Sequence, residues 1–206
     1  ERVEGVTIAA VDEQRKPIPG TEETFDCDTL LLSVGLIPEN ELTRGAGIPI
    51  DRMTNGAVVD QNRETEVPGI YACGNVLHVH DLVDFVSEEA AIAGKAAAEQ
   101  ITGKSAETAR TIHVKTGMGV RYTVPETLRL PEIPTAPVRV FFRVTDIFKK
   151  VRLRITDDSG NVLVQNAKSA VAPGEMESMT LSPEVLTELM ARGTAEITVS
   201  LEVREG

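Results

Sequence analysis

The chain has 206 residues, of which 41% are hydrophobic, enough for a packed core. Its 21 basic and 32 acidic residues give a formal net charge of −11, which would repel nucleic-acid phosphates and anionic lipids. Aromatic residues make up only 3%, too few for a surface that stacks single-stranded bases. No apolar run approaches the roughly 20 residues that cross a bilayer. We therefore expect neither nucleic acid nor membrane as a partner.

The two cysteines, Cys27 and Cys73, are isolated and form no C-x-x-C pair. With no secretory signal visible, they predict a reducing, cytoplasmic setting. The first residue is Glu1 rather than methionine, and a strand pattern follows at once. We expect an excised piece of a longer protein; removal of a short leader is the alternative.

The first predicted elements are two strands joined by a turn-rich connection. Alternating residues predict a half-buried strand over 3–11, and the prolines of 14–20 predict turns. Residues 29–34 form a continuous apolar run, which favours a strand covered on both faces, as in a parallel sheet.

Two shorter strands and a helix follow. The Asn55-Gly56 pair predicts a tight turn before a short strand over 57–60, and 70–73 reads as a buried strand that ends at Gly74. Alanine-rich residues 84–101 predict a helix, capped by the glycine of Thr102-Gly103.

The character of the chain changes after about residue 110. Apolar and polar residues alternate with period two in three segments: 138–144, 151–155 and 195–203. This pattern predicts a small antiparallel sandwich. One short helix is expected over 183–192, with Ser182 as its N-cap. We place the boundary between the two halves at about 103–111.

The segment from Thr65 to Asn75 carries the chemistry. It is a loop, a Pro-Gly turn, a short strand and a glycine at the strand's carboxyl end, where ligands bind in open α/β sheets. Gly74 allows a ligand to approach the backbone, and the Asn75 amide can donate and accept hydrogen bonds. The helix that begins near Asp84 would point its N-terminus, which favours partial negative charge, toward the same place.

This segment resembles the second flavin-binding motif, T-x-x-P-G-I-[FY]-A-x-G-D, of the pyridine nucleotide–disulfide oxidoreductases in their thioredoxin-reductase-like branch. Residues 32–40 are similar to the family segment that leaves the NAD(P)-binding domain, and residues 88–94 resemble its final FAD-domain helix. The three landmarks occur in family order and cover about residues 1–103.

The resemblance implies a fold class and a division into domains. The fold class is α/β, a partial FAD/NAD(P)-binding Rossmann-like domain, followed by an all-β antiparallel sandwich-like domain. Residues 1–42 would be the tail of the NAD(P)-binding domain, 43–103 the C-terminal part of the FAD-binding domain, and 111–206 a small accessory β domain.

The resemblance also implies FAD and NAD(P)H as cofactors. Gly74 and Asn75 would lie by the ribityl chain and pyrophosphate of FAD, and Val83, Asp84 and Phe85 near the isoalloxazine ring. The family usually has aspartate where Asn75 stands, and the chain has no G-x-G-x-x-G loop. We therefore expect the fragment alone to be inactive and to retain no FAD. No catalytic residue is identified.

Two functional hypotheses remain open. In the first, the chain is part of an oxidoreductase that passes hydride between NAD(P)H and FAD and then electrons to an unknown acceptor. In the second, it is a structural or protein-interaction module. The missing N-terminal half is the expected partner, and exposed apolar surface is expected to favour homodimers.

His78, His80 and Asp81 invite a metal hypothesis, but a convincing further ligand is lacking. We expect no metal, and a flavin-facing or solvated loop instead. Cys73 lies on the predicted buried strand, which favours a packing role over a reactive thiol.

Overall fold

The computed structural model describes residues 2–33 and 35–203. The chain is a mixed α/β protein in which strands predominate. It divides into two compact units, Glu1–Gly35 and Leu36–Gly206, which are described separately.

The first unit is a hairpin. Strand β1 (Gly5–Ile8) lies within the strand predicted over 3–11. It pairs antiparallel with β2 (Glu23–Asp26), a strand that the sequence pattern did not predict. The connection contains the predicted turns, since the Asp12 carboxylate accepts hydrogen bonds from the backbone N–H groups of Gln14 and Lys16.

The strand predicted over 29–34 is wrong for the residues that can be judged. Val34 lies outside the described residues, and 29–33 form no strand. Leu31 and Leu32 are 89% and 72% exposed. A strand buried on both faces needs paired neighbours and covering helices, and within residues 2–33 the apolar run pairs with no other segment.

The second unit begins with the short helix α1 (Glu41–Gly45) and a segment of turns. Isolated bridges replace the short strands predicted there: Ile50 with Ala57, Val59 with Thr65, and Glu64 with Tyr71. The buried strand predicted over 70–73 is also wrong, because Ile70 is 39% exposed. The Pro68-Gly69 turn folds this stretch back on residues 63–65, so its backbone bonds locally, as in Ala72 N–H to Arg63 C=O.

The alanine-rich helix is confirmed as α2 (Val83–Ile101). A single 3₁₀ turn, Gly74–Val76, precedes it. Helix α2 buries Glu89 and Ala93, four residues apart and therefore on one face. Among the described residues, no helix has both the length and the apolar character to cross a membrane.

The rest of the unit consists of eight strands and one helix: β3 (Arg110–Thr116), β4 (Val120–Val124), β5 (Thr127–Leu130), β6 (Val138–Val144), β7 (Phe148–Asp157), β8 (Val162–Val171), β9 (Glu177–Leu181), α3 (Pro183–Arg192) and β10 (Glu196–Val203). They form a five-stranded sheet in the order β5-β3-β10-β7-β8 and a three-stranded sheet in the order β4-β6-β9.

The β-rich second half is confirmed, but its pairing is not wholly antiparallel. Strand β10 runs parallel to β3, with Ile197 opposite Val114, and antiparallel to β7. Alternation with period two is the same in either direction, so the sequence pattern could not reveal the parallel pair. Before residue 104, the described strands pair only in the hairpin and the bridges, so the Rossmann-like assignment stays a prediction.

Alternating residues of these strands form the core. Leu153, Ile155, Ile197 and Val199 are fully buried, and Leu186 of α3 packs with them. Helix α3 is capped as predicted, because the Ser182 hydroxyl accepts from Val185 N–H at 3.4 Å.

The second unit runs continuously across residues 103–111. Ala57, Val59 and Leu77 share a buried cluster with Tyr122 and Val124. The division of function at residues 42 and 103 stays a prediction, but the segments on both sides of residue 103 pack as one body.

The Gly56 position gives a test of this packing. A Cβ added at Gly56 would lie 1.7 Å from the Leu77 carbonyl oxygen, whereas one at Gly94 meets nothing within 4 Å. We expect Gly56→Ala to lower the free energy of unfolding by about 3 kcal/mol, because the clash is with backbone. Gly94→Ala should raise it by about 0.5–1 kcal/mol, since alanine favours helix. Urea unfolding measures both, and equal small effects would contradict the close approach.

Candidate functional site

The turn at Gly74 and Asn75 adjoins the first turns of α2. Gly74 is buried with a φ of +71°, and a Cβ there would lie 3.2 Å from Cγ1 of Val86. Both the positive φ and the close helix require glycine. Its N–H donates to Glu89 Oε2 at 2.7 Å, so the helix holds the turn directly.

Glu89 is a buried carboxylate that accepts four hydrogen bonds. Oε1 accepts from Arg63 Nε at 2.8 Å and meets His78 Nε2 at 3.2 Å. Oε2 accepts from the Gly74 N–H and meets His80 Nε2 at 2.9 Å. The side chains of Arg63, His78, His80 and Glu89 are at most 1% exposed, and we call these four residues the Glu89 cluster.

The charges of the Glu89 cluster are set by competing effects. Burial acts to raise the pKa of Glu89, but hydrogen bonds from His78 and His80 and the Arg63 charge outweigh it and hold that pKa well below its usual range. Burial lowers the pKa of His78, despite its contact with Glu89. At neutral pH Glu89 is therefore ionised and His78 neutral, and the hydrogen bond to Glu89 assigns the His78 proton to Nε2.

The loop that carries the histidines was predicted to face the flavin or solvent. Solvation is wrong for the two histidines, and the flavin-facing alternative stays a prediction. Counted as whole residues, backbone included, His78 and His80 are 1% and 8% exposed. Their imidazoles are drawn inward because Glu89, a buried anion, requires donors. Glu89 and Arg63 were missed by sequence reasoning. The available signal was an acidic residue four positions before Ala93, on the apolar face of an alanine-rich helix.

His78, His80 and Glu89 offer metal-ligand atoms within 4.8 Å of one another. The Arg63 guanidinium already neutralises Glu89, so a divalent cation would leave two positive charges uncompensated in a dry interior. If Nε2 of each histidine bound a metal, the ring proton would have to sit on Nδ1. The described residues supply no hydrogen-bond acceptor for either Nδ1 atom. We therefore interpret the cluster as a hydrogen-bonded anchor; that it binds no metal stays a prediction.

Asn75 has a defined side-chain orientation. Its Oδ1 accepts from the His80 backbone N–H at 3.1 Å. Because a backbone N–H must meet an oxygen, this contact assigns the amide. Among the described residues, none accepts a hydrogen bond from Nδ2.

The other predicted cofactor residues lie at the start of α2. Val83 is the first residue of the helix and is 74% exposed, Asp84 is exposed, and Phe85 is half-buried. The Phe85 ring lies 6.4 Å from the His80 ring. Leu82 is the N-cap of α2, and its side chain makes no capping hydrogen bond. The first backbone N–H groups of α2 therefore have no acceptor from an N-cap side chain. The structure thus brings Gly74, Phe85 and the helix start together, while their roles toward a cofactor stay predictions.

Cys73 precedes the turn and is half-buried. Burial raises the pKa of its thiol, and the negative charge of Glu89 adds to the shift. A raised pKa disfavours the thiolate, which agrees with the packing role predicted for this residue.

A separate cavity of about 190 Å³ lies beside β3 and β4, lined in part by Asp51, Tyr122 and Glu126. Glu126 Oε2 accepts from Val59 N–H at 3.1 Å, and Oε1 has no partner among the described residues. Burial raises the pKa of Glu126 to about 8, and the Asp51 charge adds to the shift. This carboxyl is therefore largely protonated at neutral pH.

Comparison with known proteins finds relatives for the first half of the chain. Residues 2–113, just over half, match the family model described as pyridine nucleotide-disulphide oxidoreductase. An NADH oxidase of Streptococcus pneumoniae is 33% identical over 102 residues, covering 48% of this chain and 22% of the relative. A dihydrolipoyl dehydrogenase of Bacillus subtilis is 34% identical over 108 residues, covering 52% and 21%. The chain thus spans about a fifth of the length of these curated relatives.

Glu89→Gln tests the Glu89 cluster. The change leaves the Arg63 guanidinium buried without a counter-charge, and we expect the free energy of unfolding to fall by about 3–5 kcal/mol. The neighbouring Glu88 pairs with Arg139 at the surface, so Glu88→Gln should change it by no more than about 1 kcal/mol. Urea unfolding at pH 7 compares the two. Equal losses would contradict the assignment of Glu89 as the central anion.

Glu126→Gln tests the protonated carboxyl. The unfolded chain releases this proton above the ordinary value of 4.5, but the folded chain only above about 8. The contribution of Glu126 to stability is therefore fully present below pH 4.5 and is lost as pH rises through 8. We expect Glu126→Gln to match the wild type near pH 5 and to exceed it by about 1–3 kcal/mol at pH 9, measured by urea unfolding. A difference that does not change with pH would contradict this.

Proposed function

The chain belongs to the pyridine nucleotide-disulphide oxidoreductase family, and we propose that it supplies one wall of the flavin site in an FAD-dependent, NAD(P)H-linked oxidoreductase. One observation carries the proposal. The Gly74-Asn75 turn of the flavin-like motif lies against the first turns of α2, tied to it by the hydrogen bond from Gly74 to Glu89.

The donors at this turn fit a flavin dinucleotide. The Gly74 N–H is occupied by Glu89, so the contact at the turn comes from the Asn75 amide. Its Oδ1 is already bonded to the His80 N–H, so Nδ2 is the atom that would donate to oxygens of the ribityl chain or pyrophosphate. Aspartate at this position would offer only acceptors when ionised, so the chain keeps a contact here but reverses its polarity.

The start of α2 fits the ring end of the cofactor. Its N–H groups lack a side-chain cap, and the helix dipole favours negative charge near them. The bound flavin supplies the hydride chemistry, and the protein sets orientation and electrostatics. A helix directed at the pyrimidine side would stabilise a reduced, anionic ring and raise its redox potential. Val83 offers exposed apolar surface next to this end.

The domain roles follow the same proposal. Residues 1–42 complete the NAD(P)-binding domain, 43–103 complete the FAD-binding domain, and 111–206 are accessory. The nicotinamide coenzyme is supported by the name NADH oxidase of one relative. The free cysteines suit a reducing, cytoplasmic setting. The electron acceptor, which receives electrons from FAD, would bind to the intact enzyme.

A second candidate, an interaction module, is favoured by exposed apolar side chains. Leu31, Leu42 and Ile101 are 89%, 90% and 87% exposed. Such surfaces mark contacts with another protein part, here the missing half of the same protein or a second copy. The two proposals are compatible, because closing a cofactor site against another protein part also buries apolar area.

The product of the complete coding sequence tests the proposed function. We expect a yellow protein whose flavin absorbance NADH or NADPH bleaches under anaerobic conditions. Asn75→Leu should weaken FAD binding about tenfold, since one hydrogen bond is lost. Asn166, exposed on β8, provides the control Asn166→Leu, which should bind FAD like the wild type. A colourless wild-type protein would leave only the interaction module, and undiminished binding by Asn75→Leu would mean that the contact is misassigned.

A further inference from the structure

Arg143 on β6 reaches the loop Leu77–Leu82, which connects the Gly74-Asn75 turn to α2. Its Nη2 donates to the Val79 carbonyl at 3.1 Å and forms an ion pair with Asp81. Its Nη1 donates to the Pro173 carbonyl at 3.2 Å. The side chain is only 14% exposed, so these contacts are largely shielded from water. The guanidinium therefore fixes the loop from the β domain.

Further contacts hold the same loop. The second oxygen of Asp81 accepts from Met176 N–H at 2.6 Å. Phe141, two residues before Arg143 and on the same face of β6, is buried. Its ring lies 5.7 Å from the ring of His78 and 5.9 Å from that of Phe85. The β domain thus contacts both the loop and the beginning of α2.

The decisive feature is one peptide unit. The carbonyl of Val79 and the N–H of His80 belong to the same planar group. Arg143 donates to the oxygen of that group, and its N–H donates to Asn75 Oδ1. Because the peptide is planar, fixing its oxygen also fixes the direction of its N–H. A charged donor on the carbonyl also polarises the group and strengthens the N–H as a donor.

Resting on the proposed function, we propose that Arg143 is a positioning residue for the flavin site. Through the Val79–His80 peptide it sets the orientation of the Asn75 amide, and so presents Nδ2 to the ribityl or pyrophosphate oxygens. The β domain, residues 111–206, is then a structural part of the cofactor site. Without Arg143, the peptide can rotate, and Asn75 loses the partner that holds its Oδ1.

A double-mutant cycle in the product of the complete coding sequence tests this. We expect Arg143→Met to weaken FAD binding about tenfold in the wild-type background but hardly at all in the Asn75→Ala background, because both changes remove the same contact between Asn75 and the flavin. Arg143→Lys, which keeps the charge beside Asp81, should fall between. Fluorescence titration with FAD gives the affinities. Equal weakening in both backgrounds would overturn the proposal.

Amide hydrogen exchange on the chain itself separates this inference from the proposed function. We expect Arg143→Met to accelerate exchange of the His80 amide severalfold, with β3 and β10 unchanged. The control Arg152→Met removes an ion pair with Glu202 on the other sheet and should leave His80 unchanged. Unaltered His80 exchange in Arg143→Met would overturn the positioning role. A flavin-free wild type with accelerated exchange in the variant would overturn the proposed function and the cofactor role, while the peptide contact stands.

Discussion

The buried charge of Glu89 is the constraint on which the candidate site depends. An ionised carboxylate in a dry interior must be surrounded by donors, and here they come from Arg63, Gly74 and two histidines. These donors lie on three segments of the chain before α2: the turn at Arg63, the turn at Gly74 and the loop that carries both histidines. A single side chain of the helix therefore gathers segments that have almost no regular structure of their own. Their positions follow from charge compensation more than from strand pairing.

The same segments are supported from the opposite side by the β domain. Gln61 exchanges two hydrogen bonds of 2.7 Å with the backbone of Arg129, which gives a strand-like contact without a strand. Arg143 of β6 holds the loop 77–82 that precedes α2. Glu89 of α2 holds the Gly74-Asn75 turn that precedes this loop. Residues 57–82 are therefore fixed between these elements. Under the proposed function, a flavin bound there would meet a preorganised surface and would lose little free energy in ordering it.

Much of the architecture could be predicted from the sequence, for identifiable reasons. Helix α2 and helix α3 carry strong local signals, alanine content in one and Ser182-Pro183 in the other, and both lie where expected. The strand predictions over 29–33 and 70–73 were wrong because an apolar run shows only a tendency to be buried. Whether such a run forms a buried strand depends on the segments that pair with it and cover it. The family was readable from motif order, and the comparisons confirm it. Glu89 could not be predicted, because its donors are brought together only by folding.

The last strand of the described chain occupies the middle of its sheet. Residues 196–203 insert between β3 and β7, so the edges of both strands stay open until the whole segment has left the ribosome. During synthesis the five-stranded sheet must therefore wait for residues 196–203 before it closes. Residues 57–82 pack against that domain, so they too would reach their final arrangement late, after translation of a strand more than a hundred residues away.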